Sequence, residues 1–195
     1  MTILVDMDDV LEQLIEGWVA YCNHFYGTHA VPADVKNWDM SLAFPTLTYD
    51  QVYAAVRDDR LWDFVYPMPG ADEALRRLLA EGHTIYVVTA TDYETLPAKM
   101  EKVLFRYFPY LDWAHVIITQ NKQLIHGDVL VDDGPHNLID SPCRRVLFDS
   151  WHNQTFDEAS IGAVRVHNWT EAYAALCAIA REKEKQGAEA DVLLP

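Results

Sequence analysis

In Thr2-Ile3-Leu4-Val5-Asp6-Met7-Asp8-Asp9-Val10-Leu11, a short apolar run leads straight into three acids. A run of this length and apolarity predicts a buried strand, and the Asp-x-Asp at its end sets Asp6 and Asp8 two residues apart on one side of the backbone. Two carboxylates that close ionise together only at a cost unless a cation neutralises them. Mg2+ takes one or two carboxylates together with phosphate and water oxygens, so the pair points to phosphoryl transfer. Acids after a strand also serve as caps for the free N–H groups of a following helix, and Asp9 fits that part.

Working outward, short apolar runs alternate with helical patterns along the chain, the signature of βα units feeding a parallel sheet. Strands are expected at Ile3–Val5, Thr84–Thr89, His115–Thr119, Asp128–Val131, Arg145–Phe148 and Ala163–Val166. Leu75, Leu78 and Leu79 share one face of a helix that begins near Asp72 and Glu73 and stops at Gly82. Leu96, Met100, Val103, Leu104 and Tyr107 repeat at helical spacing until Pro109, and a last helix is expected from Thr170 to about Glu184. The fold class read from this alternation is α/β, a Rossmann-like three-layer sandwich with a central parallel sheet.

One stretch breaks the rhythm. Residues 17–66 show no clear strand but are rich in aromatics, among them Trp18, Tyr21, Trp38, Phe44, Trp62 and Phe64. They read as a small helical cap inserted after the first strand, over the carboxyl ends of the sheet where ligands of open α/β folds bind. Most of these aromatics are expected to form the core of that layer, with one or two facing a ligand. The expected organisation is a core of 1–16 and 67–182, a cap of 17–66, and a polar, disordered tail of 183–195.

Half of the 195 residues are apolar, enough for a sizeable core. Thirty acids against fifteen bases give a net charge of −15, which argues against docking on a nucleic-acid polymer or an anionic membrane but leaves room for a small anion held by a metal. No apolar stretch approaches the roughly 20 residues that span a bilayer, and the N-terminus lacks the basic flank of a signal peptide, so the expected location is the cytoplasm. Cys22, Cys143 and Cys177 are far apart and odd in number, and read as free thiols. A homodimer is compatible with the sequence.

Two further strand ends extend the opening motif. Thr84–Thr89 ends in a hydroxyl and continues into Ala90 and Thr91, a turn whose N–H groups could cradle a phosphate. Asp128-Val129-Leu130-Val131-Asp132-Asp133-Gly134 ends in adjacent carboxylates, and ten residues before Asp132 stands Lys122. A lone lysine is usually a solvated surface group, and a lone threonine can simply begin a turn. Together with two acidic strand ends they form a pattern.

That pattern resembles the four motifs of the haloacid dehalogenase superfamily: Asp6-Met7-Asp8, a hydroxyl at Thr89, Lys122, and the pair Asp132-Asp133. Within the superfamily it is similar to the 5′(3′)-deoxyribonucleotidases, cytosolic type C. They share the spacing of Lys122 to the late acids, Pro67-Met68-Pro69-Gly70, His152-Asn153-Gln154 after Val146-Leu147-Phe148, and Trp169. The resemblance runs from Ile3 to about Ala178 and is thin in the helical insertion.

The resemblance implies that Asp6 is the nucleophile that forms an aspartyl-phosphate, and that Asp8 first protonates the departing oxygen and then activates water. Mg2+ is expected on Asp6, the backbone carbonyl of Asp8 and one of the late acids. Asp133 is the first choice there, with Asp132 orienting a water or Lys122. Thr89, the Ala90 turn and Lys122 are expected to hold the phosphoryl oxygens, and the substrate is expected to be a nucleotide or another small phosphate monoester. This chain departs from the family pattern in several places. Asp9 stands for a glycine, Ala90 for a hydroxyl that Thr91 could replace, Gly134 for an arginine and Leu14 for a cap phenylalanine. The cap tryptophans correspond to Trp38 and, with Phe64, to Trp62. These changes bear on base preference rather than on the reaction. The alternatives are a phosphatase for another ester such as a sugar phosphate and a non-catalytic nucleotide-binding regulator on the same fold. Attack on carbon suits Asp8 and the late acids less well.

Overall fold

Six short apolar runs become six parallel strands: β1 (Thr2–Val5), β2 (Thr84–Thr89), β3 (Val116–Ile118), β4 (Val129–Asp132), β5 (Arg144–Phe148) and β6 (Val164–Val166). They form one sheet in the order β3-β2-β1-β4-β5-β6. The computed structural model describes residues 1–192. The runs are apolar throughout because both faces of the sheet are covered. Ile3, Val5, Val87, Val131 and Val146 face α3 (Ala71–Ala80) and α7 (Trp169–Val192) in one buried cluster, whereas Leu4, Val88, Leu130 and Leu147 face Leu138 of α6 (Pro135–Ile139) in another. This is the three-layer α/β sandwich that the alternation predicts.

The connection after β2 is a continuous helical stretch. α4 (Leu96–Lys99) runs through a π-helical segment, Met100–Leu104, into α5 (Phe105–Tyr107). Its Met100, Val103 and Leu104 are fully buried against the first cluster.

Between β1 and α3 the chain is helical, with α1 (Leu14–Tyr26), α2 (Tyr49–Ala54) and several single 3₁₀ turns. Trp18, Tyr21, Phe44, Val52 and Leu61 form its own apolar centre. Trp62 is buried too, but in the cluster that packs against the sheet. Entry and exit of this segment are fastened side by side: Met68 N–H donates to Leu11 O (2.8 Å) and Gln13 N–H to Tyr66 O (2.9 Å). The Trp169 indole N–H, donating to Val10 O at 2.8 Å, ties the entry to the last helix.

The polar tail expected to be disordered is helical through Val192, and residues 193–195 lie outside the described residues. Glu, Lys and Ala are strong helix formers, and Glu182 pairs with Arg144 while Lys183 reaches Asp128, so the polar turns are tied to the strands without an apolar stripe. No described helix is long and apolar enough to cross a membrane. The three cysteines are free, Cys22 and Cys143 being buried.

Candidate active site

The carboxyl ends of β1, β2 and β4 lie level with one another. Val5 is in register with Val87 and with Val131, so Asp6 and Asp132 emerge level with each other, with Thr89 one residue further on β2, where the strand order turns from leftward to rightward addition. Asp6 N–H donates to Val131 O at 2.8 Å, which locks the first acid to β4. The backbone then turns sharply at Asp9, whose φ of +53° is the left-handed region that favours glycine. Asp9 Oδ1 accepts the Ile15 N–H at 3.0 Å, so it does cap α1, but from four residues ahead of the usual capping position at Gln13.

Lys122, on a 3₁₀ turn after β3 and 2 % exposed, binds two acids at once. Its Nζ is 2.7 Å from Asp6 Oδ1 and 2.7 Å from Asp132 Oδ2. Asp132 Oδ1 accepts from Gly134 N–H (2.8 Å) and Asn137 Nδ2 (2.9 Å), so both its oxygens are engaged. Gly134 is forced by this crowding, since a Cβ there would lie 2.8 Å from His136 Cε1, 2.9 Å from Asn137 Nδ2 and 3.0 Å from Asp132 Oδ1. Asp133 differs from its neighbour. Its Oδ1 is buried with no hydrogen-bond partner among the described residues, while Oδ2 is 3.3 Å from His152 Nε2. Asn153 Nδ2 steadies the Asp133 carbonyl and that of Phe148, both at 2.8 Å.

Carboxylate oxygens of Asp6, Asp132 and Asp133 lie within 4.8 Å of one another. Burial pushes the Asp6 carboxyl up to about 7; the Lys122 charge opposes this, and those of Asp132 and Asp8 add to it. Burial, with Asp6, Asp9 and Asp132 close by, raises Asp133 well above the usual carboxylate range. Lys122 is held protonated: burial works against its charge, but Asp6 and Asp132 outweigh it. A buried set of hard oxygen donors with one oxygen unpartnered fits a divalent cation of the Mg2+ type, which would let these acids ionise.

Lys99 is a site residue that sequence reasoning missed. At 1 % exposure, it donates from Nζ to Asp8 Oδ2 at 2.7 Å and to Thr89 Oγ1 at 2.8 Å. Its sequence does carry a signal. Three residues after Leu96 and four before Val103, it occupies the apolar stripe of its helix, where a lysine is out of place. Glu12, wholly buried beside Asp8, was also missed. Burial, with the Asp8 charge next, raises its carboxyl well above the usual range, and neither of its oxygens has a hydrogen-bond partner among the described residues. For Asp8 itself, burial is the largest influence and raises its carboxyl, but Lys99, 2.7 Å away, with Glu12 close by, prevails and holds it below the usual value. Thr91, the substitute for the hydroxyl missing at Ala90, shares its Oγ1 with Thr95 at 2.8 Å, and Ala90 itself is exposed at the cavity edge.

These groups line a cavity of about 380 Å³. Asp6, Asp8, Lys122 and Asp133 line it together with Leu14, Trp18, Trp38, Met40 and Tyr53. Trp38, 59 % exposed, stands edge-on to His136 and His152, with ring centroids 4.6 and 4.9 Å away. Trp62 is 2 % exposed and flanks an adjoining cavity of about 280 Å³, its ring centroid 5.9 Å from Lys99 Nζ. Asp8 and Leu14 line both spaces.

Comparison with known proteins gives a consistent picture. The model of the family described as "5' nucleotidase, deoxy (Pyrimidine), cytosolic type C protein" matches residues 1–183. A 5'(3')-deoxyribonucleotidase of Bacillus subtilis is 33 % identical over 170 residues, covering 87 % of this chain and 94 % of that protein. Another, of Clostridium acetobutylicum, is 31 % identical over 176 residues, covering 90 % and 94 %. Among solved structures, a haloacid dehalogenase-like hydrolase of Streptococcus pneumoniae superposes with a TM-score of 0.61 at 13 % identity, covering 90 % of this chain and 97 % of that one. A haloacid dehalogenase family hydrolase of Deinococcus radiodurans, solved with bound phosphate and sodium, gives 0.59 at 16 % identity, covering 92 % and 96 %. At those identities the structures speak for the fold alone.

Proposed function

Because the chain belongs to the cytosolic type C 5′(3′)-deoxyribonucleotidase family and is a phosphoric monoester hydrolase, we propose that it releases phosphate from deoxyribonucleoside 5′-monophosphates through an aspartyl-phosphate on Asp6, with Mg2+ as cofactor. The observation that carries this reading is the meeting of Asp6, Asp8, Lys122 and Asp133 in the lining of a single cavity, with Thr89 joined to Asp8 through Lys99.

Asp6 Oδ1 accepts from the Met7 N–H and meets Lys122, each at 2.7 Å, which fixes the orientation of the carboxylate that attacks phosphorus. The bond from phosphorus to the sugar oxygen breaks as Asp8 gives that oxygen a proton. Asp8 then takes a proton from water, the water oxygen attacks phosphorus, and the bond to Asp6 breaks to release phosphate. Lys99 keeps Asp8 ionised in the free protein, the form needed for the second half. The proton for the first half arrives with the ester, whose second pKa of about 6 leaves part of it as a monoanion. Lys122 and the turn after Thr89 stabilise charge on the transferring oxygens. Mg2+ held by Asp6, Asp133 and the Asp8 carbonyl would neutralise the buried acids and draw charge from the phosphoryl group. Asp133 suits direct ligation because its Oδ1 is unpartnered, whereas Asp132 already holds Lys122, Gly134 and Asn137.

The apolar part of the lining, from Leu14 to Trp38, supports a planar base. Trp62, packed away from solvent, leaves that contact to Trp38. The helical segment then acts as the cap over the site. A net charge of −15 favours free nucleotides over nucleic-acid backbone, and the reaction belongs in the cytoplasm. A panel of deoxyribonucleotides, ribonucleotides and sugar phosphates, assayed with and without Mg2+, tests the proposal. Asp6→Asn must abolish turnover, and a preference for sugar phosphates would overturn the nucleotide assignment while sparing the reaction type.

A further inference from the structure

The site holds two buried lysines. Lys122 bridges Asp6 and Asp132 and lines the cavity, as a phosphate-binding cation should. Lys99 hydrogen-bonds to neither of those acids. Its partners are Asp8 and Thr89.

We propose that Lys99 is a positioning residue for Asp8: anchored on the Thr89 hydroxyl, its ammonium holds Asp8 Oδ2 on the cavity side, where it meets the oxygen of the leaving group. This inference rests on the reading of Asp8 as the group that protonates that oxygen.

Four observations carry it. Asp8 Oδ1 is buried, so Oδ2 is the oxygen presented to the cavity that Asp8 lines, and it is the one Lys99 grips at 2.7 Å. An aspartate side chain on a loop has two free torsions; a second contact from a rigid donor removes that freedom and sets the aim of the oxygen. The donor is rigid because Nζ is also pinned by Thr89 Oγ1, a residue at the end of a central strand. The backbone serves the same end. The π-helical segment begins at Met100, directly after Lys99, and such segments change the angular offset between successive side chains and concentrate at functional sites. Lys99 also takes a place on a helix face otherwise filled by Leu96, Met100 and Val103, where an apolar side chain would pack at no desolvation cost.

The consequence is selective. Departure of a sugar alkoxide needs a proton, whereas p-nitrophenolate leaves readily as an anion. The informative constant is kcat/KM, which covers steps only up to departure of the leaving group and so excludes the later attack by water. With Mg2+ present, Lys99→Met should lower kcat/KM about 100-fold on a deoxyribonucleoside 5′-monophosphate and only about threefold on p-nitrophenyl phosphate, the scale of a lost general acid. In an Asp8→Asn background, Lys99→Met should add no further loss on the nucleotide. Should Lys99→Met fail to fold, Lys99→Gln carries the same comparison. Equal losses on the two esters, or losses that multiply with Asp8→Asn, would show that Lys99 serves phosphate binding or bulk stability and would overturn the inference alone. Wild-type protein that hydrolyses neither ester would overturn the functional reading, and this inference with it.

Discussion

Lys122 Nζ and Asp6 Oδ1 lie 2.7 Å apart, both inside the protein, so neither charge has water to fall back on. Lys122→Met leaves Asp6 and Asp132 facing each other uncompensated. Removing one partner of such a set costs about 3–5 kcal/mol of stability. Loss of a donor to the transferring group lowers kcat by about 10²–10³. Urea unfolding checks the first figure and steady-state kinetics with Mg2+ the second; a variant of native stability and activity would remove Lys122 from the site.

Stability and Mg2+ are linked through Asp6. Its carboxyl is pushed up to about 7 in the fold, whereas an unfolded aspartate titrates at about 4. As pH climbs through this window the unfolded chain releases its proton and the metal-free fold keeps it. The stability that Asp6 confers below about pH 4 is therefore lost by about pH 7, a change on the order of 4 kcal/mol. A cation that binds the ionised form reverses the loss. The rise in Tm caused by Mg2+ should thus be larger by about 4 °C or more at pH 7.5 than at pH 5.5, measured by thermal unfolding with and without the ion. An equal rise at both pH values would contradict it.

Trp38→Ala removes an exposed indole whose ring stands edge-on to His136 and His152. Stability should hardly move. If the indole covers a base, KM for the nucleotide rises about tenfold, from a stacking contact of about 1–3 kcal/mol, while p-nitrophenyl phosphate is unaffected. Parallel changes for both substrates would separate Trp38 from base recognition.

Gly134→Ala drives a methyl group against His136, Asn137 and Asp132. Overpacking of this kind costs about 1–3 kcal/mol. Because Asp132 orients Lys122, activity should fall more than the loss of folded protein explains, a comparison that circular dichroism and kinetics on the same preparation provide.

The sheet was legible in the sequence because each strand is buried on both faces and therefore reads as an unbroken apolar run. Strand boundaries moved by a residue or two, as Val116–Ile118 and Val129–Asp132 show. The acids were legible for a related reason: Asp6 and Asp132-Asp133 end strands, where charge needs a purpose. Lys99 does mark itself, as a charge within an apolar helical stripe, but its partners Asp8 and Thr89, like the role of Glu12, depend on what lies opposite across the fold, which local pattern does not encode. The aromatic segment resisted reading because its 3₁₀ turns have no long period. Trp38 and Trp62 are alike in sequence, yet one is exposed at the cavity and the other packed within. The last turns of α7 carry no apolar stripe, the pattern by which a helix is read from sequence. Ion pairs from Glu182 to Arg144 and from Lys183 to Asp128 tie the start of that stretch to the sheet layer.

The stretches Leu11–Gln13 and Tyr66–Met68 leave and rejoin the sheet layer as hydrogen-bonded neighbours, so the seam between them is closed whatever the chain does in between. Change in the loops beyond that seam therefore need not disturb the acids at the strand ends, so long as Trp62 and Val65 keep their places in the cluster against the sheet. Selection can then retune which molecule is accepted without renegotiating how its bond is cut.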